Sequence, residues 1–350
     1  MWKTILSAFL AATSMLGFAM READACTRCV YLGPEGEVIV ARSMDWMEDT
    51  RSNLYAFPRG MKRDGAAGSK SIAWTSKYGS VAGTIYDVAS VDGMNEKGLV
   101  ANVLYLAESD YGTPDGSRPL LCISQWCQYA LDRFATVAEA VEELRKEPFA
   151  IVAPTLPNGS PAQGHLALTD PTGDTAVFEY VGGKLKIHHG RQYQVMTNSP
   201  TFDKQLAINE YWDEVGGDVM LPGTYRAADR FVRASYFIKS IPQIKGNTRA
   251  VATLFSIIRG VSVPLGITTP GKPNIASTIW RSVIDAKNRV IYFDSAMSPT
   301  VCWVTLSSLD FSEGAPVKKL ALSKGETYSG DASSSFRPSE PFEPLSGESK

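Results

Sequence analysis

The strongest constraint on this chain is the point at which its folded part begins. Met1-Trp2-Lys3 makes a short, positively charged start, residues 5–20 are apolar or small, and Ala23-Asp24-Ala25 supplies the small residues of a cleavage site. Residues 1–25 therefore read as a signal peptide, and the fold must be built from the remaining ~325 residues, which open on Cys26. Cleavage there would put a thiol and a free α-amine on one residue, with pKa values near ~8.5 and ~7.7–8.0, so that one can serve as base for the other near neutral pH. Two plainer readings compete. Cys26 could carry lipid, against which Ala23 and Asp24 argue, or it could be a structural cysteine bonded to Cys29.

Composition narrows the class. A hydrophobic fraction of 44% with 21% charged residues describes an ordinary globular protein with a sizeable core. The formal net charge of -2 leaves no basic excess to attract nucleic acid. No second apolar run is long enough to span a membrane, so the mature chain is expected to be unanchored and, being exported, periplasmic or secreted. The five cysteines are Cys26, Cys29, Cys122, Cys127 and Cys302, an odd number that leaves at least one thiol unpaired. Mostly free thiols are expected, with Cys122, Cys127 and Cys302 as buried apolar residues.

The pattern along the chain is strand-rich. Residues 26–32 and 37–42 read as a hairpin across Gly33-Pro34-Glu35-Gly36, which returns Arg42 to Asp45 beside Cys26. Further strand-like runs fall at 80–85, 98–105, 165–168, 175–180, 184–189, 194–196, 277–285 and 290–294. Helical spacing appears at 119–134, at 202–212, 227–241 and 248–258, and after the capping box Thr136/Glu139, where the helix stops before Pro148. Strands with helices grouped between them argue for a layered α+β fold over residues 26–322. From Ser323 to Lys350 the chain is rich in Ser, Gly, Glu and Pro, which reads as a disordered tail.

Five separated segments carry a family resemblance: Cys26-Thr27-Arg28, Arg42-Ser43-Met44-Asp45, Asn95-Glu96-Lys97-Gly98-Leu99, Met196-Thr197-Asn198-Ser199-Pro200 and Arg230-Phe231-Val232-Arg233. Each alone is weak, but in this order, behind an export-generated cysteine, they resemble the choloylglycine hydrolase family of bile salt hydrolases and penicillin V acylases. The resemblance implies the four-layer αββα sandwich of N-terminal nucleophile hydrolases, and hydrolysis of a linear amide through a thioester, with no cofactor and no metal. It implies that Cys26 attacks while its own α-amine takes the proton, that Asp45 accepts a hydrogen bond from that amine, and that Arg42 favours the thiolate. Asn198 would donate its side-chain amide to the oxyanion, and Arg230 would hold the network together. The plainer alternatives are a solvated ion pair for Arg42 and Asp45, a turn asparagine for Asn198 and an exposed helix residue beside Asp229 for Arg230.

Tyr105 falls where bile salt hydrolases carry asparagine and penicillin V acylases tyrosine. It could project over the pocket, or be a core aromatic on a buried strand. Trp46 and Trp74 are candidates to line an aromatic pocket, or simply half-buried. The stretch between Asn198 and Arg230 lacks the hairpin that braces the bile salt hydrolase tetramer, as in the penicillin V acylases of Gram-negative bacteria, which leaves homo-oligomerisation open. Of His165, His188 and His189, the adjacent pair would point to opposite strand faces and not ligate one metal. Cys26-x-x-Cys29 lacks the βαβ setting of a redox dithiol. The expected partner is a small-molecule amide joining an apolar acyl group to a small polar amine.

Overall fold

The computed structural model describes residues 26–268 and 276–347. The leader at 1–25 lies outside them. Two large sheets dominate. The first has seven strands in the order Val195–Met196, Thr27–Leu32, Val38–Trp46, Ser277–Asp285, Val290–Ser295, Cys302–Thr305 and Gly330–Asp331. The second has nine, ordered Lys184–His189, Thr175–Val181, His165–Thr169, Val100–Leu104, Ala89–Asn95, Ser80–Ile85, Leu54–Phe57, Lys318–Leu320 and Arg337–Pro338. Helices Ala227–Ser240 and Asn247–Gly260 pack on the first sheet, with Phe202–Val215 against Ala227–Ser240. Helices Trp126–Arg133 and Val137–Leu144 pack on the second. The core between the sheets joins residues of both, such as Val30, Val40 and Met44 with Val91, Leu104 and Ala167. The layers thus run helix, sheet, sheet, helix.

The strand Val38–Trp46 explains itself from its sequence. All nine residues are buried, because sheet neighbours flank it on both edges and layers cover both faces. Period-two alternation puts Arg42, Met44 and Trp46 on the side of one cavity, while Asp45 turns to Thr278 and Arg230. Antiparallel pairing sets Thr27 opposite Ser43 and Arg28 opposite Arg42, so the hairpin delivers Cys26 to the far end of this strand. On its other edge the pairing slips between Thr278 and Trp280, a bulge beside Asp45 and Met44.

Several elements differ from the sequence reading. The run 119–134 is not one helix: Leu120–Cys122 is a strand paired in parallel with Ala150–Val152, Ile123–Gln125 is a 3-10 turn, and the helix starts only at Trp126. A short, continuous apolar run has no period that distinguishes buried strand from buried helix. The tail is the larger difference. Residues 323–347 are ordered, with Ala332 and Phe336 buried and Phe342 edge-on to Tyr55 and Phe57. Its average composition is that of a linker, but the widely spaced aromatic residues anchor it. Elsewhere Thr136 caps its helix as expected, its hydroxyl accepting from the Glu139 amide at 3.2 Å. Among the described residues no helix is long and apolar enough to cross a membrane.

Candidate active site

Five of the expected residues converge on one buried point. Cys26, Arg42, Asp45, Asn198 and Arg230 are each at most 2% exposed. The Cys26 Sγ lies 3.9 Å from an Arg42 guanidinium nitrogen, 3.9 Å from the Met44 sulfur and 3.9 Å from the Asp45 carbonyl oxygen. Burial pushes the Cys26 thiol above its ordinary pKa, and the Arg42 charge is the largest opposing influence. Arg42 is itself held by the Val91 and Val103 carbonyls, at 2.6 and 3.1 Å, and its guanidinium lies 5.0 Å from the Trp280 ring centre.

Arg230 is no exposed helix residue. It donates to the Tyr225 carbonyl at 2.9 Å, to the Cys26 carbonyl at 2.7 Å, to the Thr27 hydroxyl at 2.5 Å and to Asn198 Oδ1 at 3.0 Å. It lies 3.7 Å from Asp45 Oδ2, close enough for attraction and too far for a hydrogen bond. That oxygen has no hydrogen-bond partner, while Oδ1 accepts from Thr278 at 2.6 Å. Burial raises the Asp45 pKa from 3.8 to about 6, against the lowering influence of Arg230.

Cys26 N, here a peptide nitrogen still joined to Ala25, donates its one N–H to Asn198 Oδ1 at 2.5 Å. Two donors, Cys26 N and Arg230, converge on that atom, which identifies it as the amide oxygen. The amide nitrogen donates to the Tyr105 carbonyl at 2.6 Å, leaving its second N–H for another acceptor. Residues that the sequence reading missed hold Asn198 in place. Gln205 Nε2 lies within 3.2 Å of the Thr197 hydroxyl and of the Asn198 and Ser199 carbonyls. Buried His165 bridges Glu179 and the Thr197 carbonyl, 2.8 Å from each. Asp92, buried and raised in pKa by that burial, faces the charges of Arg42 and Arg28. A buried ionisable side chain is visible in sequence only as a charge inside an apolar strand, as in Ser90-Val91-Asp92-Gly93-Met94.

Beside Cys26 opens an apolar cavity of about 70 Å³, lined by Met44, Trp46, Val91, Tyr105, Ile123 and Leu156 among others. Trp46 and Tyr105 meet edge to face, with ring centres 5.8 Å apart, and Trp46 Nε1 donates to the Tyr86 hydroxyl at 2.8 Å. Trp74 is elsewhere. It packs against Tyr129 and donates to Asp132 at 2.8 Å, inside the core under the helices of the second sheet. Of the two readings open for Trp74, pocket wall or half-buried residue, neither holds: it is a buried core residue whose N–H is satisfied by a buried carboxylate. All five cysteines are free and buried. Among the described residues no cluster of His, Cys, Asp and Glu could hold a metal ion.

Residues 26–318 match the family of linear amide C–N hydrolases known as the choloylglycine hydrolase family. The chain belongs to the choloylglycine hydrolase family. It is 49% identical over 344 residues to the penicillin V acylase of Pectobacterium atrosepticum, covering 91% of this chain and 92% of that one. The solved penicillin V acylase of Agrobacterium tumefaciens is 55% identical, with a TM-score of 0.86 over 92% of this chain and 100% of the other. A conjugated bile acid hydrolase structure from Clostridium perfringens shares the fold at 22% identity, with a TM-score of 0.73 over 87% of this chain and 98% of its own. The protein is thus a linear amide hydrolase with the N-terminal nucleophile fold, on the penicillin V acylase side of its family.

Proposed function

We infer that this family member is an exported, penicillin V acylase-like amidohydrolase with Cys26 as nucleophile. The observation that carries this reading is the convergence of a buried thiol, two arginines, a carboxylate and an amide on one side of an apolar cavity. Removal of residues 1–25 would free the Cys26 amine and place the enzyme in the periplasm or the medium. In the first half-reaction Cys26 Sγ bonds to the amide carbonyl carbon while its proton passes to the α-amine. Asn198 donates to the oxygen that gains charge. The C–N bond then breaks, the α-ammonium returns the proton to the departing amine, and a thioester remains. In the second half-reaction the amine takes a proton from water, whose oxygen displaces the thiol and releases the acid.

Asp45 and Arg230 position the reacting residue in this scheme. The unpartnered Asp45 oxygen supplies an acceptor once the amine carries three protons, and Arg230 fixes the Cys26 carbonyl. Trp46 and Tyr105 offer aromatic walls to the phenoxyacetyl group of penicillin V. N-acyl homoserine lactones present the same apolar-acyl amide and are proposed as a physiological class. Bile salt hydrolysis is the second reading, favoured by the shared fold. A kinetic panel of penicillin V, glycocholate and acyl homoserine lactones on the chain beginning at Cys26 decides between them. Turnover of glycocholate with none of penicillin V would reverse the order, and inactivity of a chain that does begin at Cys26 on all three would refute the reading.

A further inference from the structure

The family match ends at residue 318, yet the chain continues and returns to the Cys26 cavity. Leu345 is one of the residues lining that cavity. Its backbone is tied on both sides. The Leu345 amide donates to the Val88 carbonyl at 2.8 Å, and the Leu345 carbonyl accepts from the Ser124 hydroxyl at 2.8 Å. Both tethers reach the cavity's own walls, since Ser124 and Ile123 line it on one side and Ile85 and Ala89 flank Val88 on the other. Anchors lie before and after. Phe342 packs edge-on to Tyr55 and Phe57, with ring centres 5.5 and 5.9 Å away. The Gly347 amide donates to the Ala66 carbonyl at 2.7 Å, and any side chain at Gly347 would collide with Val152. Pro341 and Pro344 narrow the backbone freedom between these anchors, so little entropy is lost in holding the segment against the sheet.

From this geometry we propose that the segment 340–347 is a strap that closes the acyl cavity, and that Leu345 sets how long an acyl chain it accepts. The inference rests on the reading that the acyl group occupies the cavity beside Cys26. A cavity of about 70 Å³ is small against the several hundred Å³ of ordinary ligand sites, so a single wall residue controls a large share of it. One methylene more or less in such a pocket changes discrimination by ~10-fold or more. Shortening Leu345 to alanine removes three carbons from the wall, and phenylalanine adds bulk.

The test compares kcat/KM for hexanoyl and dodecanoyl homoserine lactones in the wild type, Leu345→Ala and Leu345→Phe. The ratio of long to short chain is expected to rise ~10-fold or more in Leu345→Ala and to fall in Leu345→Phe. Glu343→Gln, exposed on the same strap, should leave it unchanged. Partial unfolding lowers both rates together and cannot move the ratio. A ratio unchanged in both Leu345 variants overturns the proposal. Alkylation of Cys26 by maleimides of short and long N-alkyl chain reads the same wall without turnover, so the strap is tested even if no amide is cleaved. In that case the absence of hydrolysis refutes the functional reading, and an unchanged ratio of alkylation rates refutes the strap.

Discussion

The charge on Asp45 should make the protein less stable at neutral pH than in mild acid, by an amount that can be isolated. Its carboxyl is buried, one oxygen has no hydrogen-bond partner, and its pKa is raised from 3.8 to about 6. A pKa higher in the folded state than in the unfolded chain means that folding favours the protonated form. The associated stabilisation is fully present below pH ~4 and is lost as pH rises through about 6. Two units correspond to about 3 kcal/mol across the whole window, of which about 1.3 kcal/mol falls between pH 7 and pH 5. The assay is urea unfolding of the wild type and of Asp45→Asn at both pH values, on chains with Ala25 still joined to Cys26. In that form no α-ammonium adds a second counter-charge. Other titrating groups contribute equally to both proteins and cancel in the difference. Relative to Asp45→Asn, the wild type should gain about 1 kcal/mol on going from pH 7 to pH 5. A difference independent of pH, or one in which the wild type loses ground in acid, would show that Arg230 and Thr278 compensate the charge fully and that the desolvation argument is wrong.

Arg230→Lys keeps a charge but cannot reproduce the fork that reaches Cys26, Thr27 and Asn198, so kcat should fall at least ~10-fold with KM little changed, as measured by steady-state kinetics. Asn198→Ala should lower kcat by ~10²–10³ if its free N–H meets the oxyanion. Trp46→Ala should raise KM, whereas Trp74→Phe should leave KM alone and cost about 1–3 kcal/mol in urea unfolding, because Asp132 loses a buried donor. Thiol labelling of the native chain beginning at Cys26, read by intact mass, should add one label at Cys26. Cys26 lines the cavity beside Arg42, whereas Cys29 and Cys302 lie away from it and are pushed up to about 12 and about 11, and a uniform pattern over all five thiols would contradict this assignment.

Legibility followed the range of the interactions involved. The hairpin that sets Arg42 beside Arg28 and brings Asp45 round to Cys26 is local, and its turn and alternation can be read directly. Asn198 and Arg230 were placed by their motifs, although the motifs did not reveal that Arg230 is buried or that the Asn198 oxygen accepts from both Arg230 and Cys26 N. Of the supports behind them, Gln205 and His165 had no local signal, because their partners lie on other elements, and Asp92 showed only as a charge inside an apolar strand. Trp46 and Trp74 look alike in sequence, and only the sheet they belong to separates pocket wall from core.

The sequence by itself pointed to Cys26 as the candidate nucleophile and set the matching arginine and aspartate one hairpin away. Tertiary structure decided the shape of the cavity. Its walls come from residues as far apart as Trp46, Tyr105, Leu156 and Leu345, and the last lies in a segment whose composition resembles a disordered tail. Period and spacing record contacts between neighbours in the chain. A cavity wall is a meeting of distant segments, and it exists only after the two sheets have packed and the C-terminal strap has closed over them.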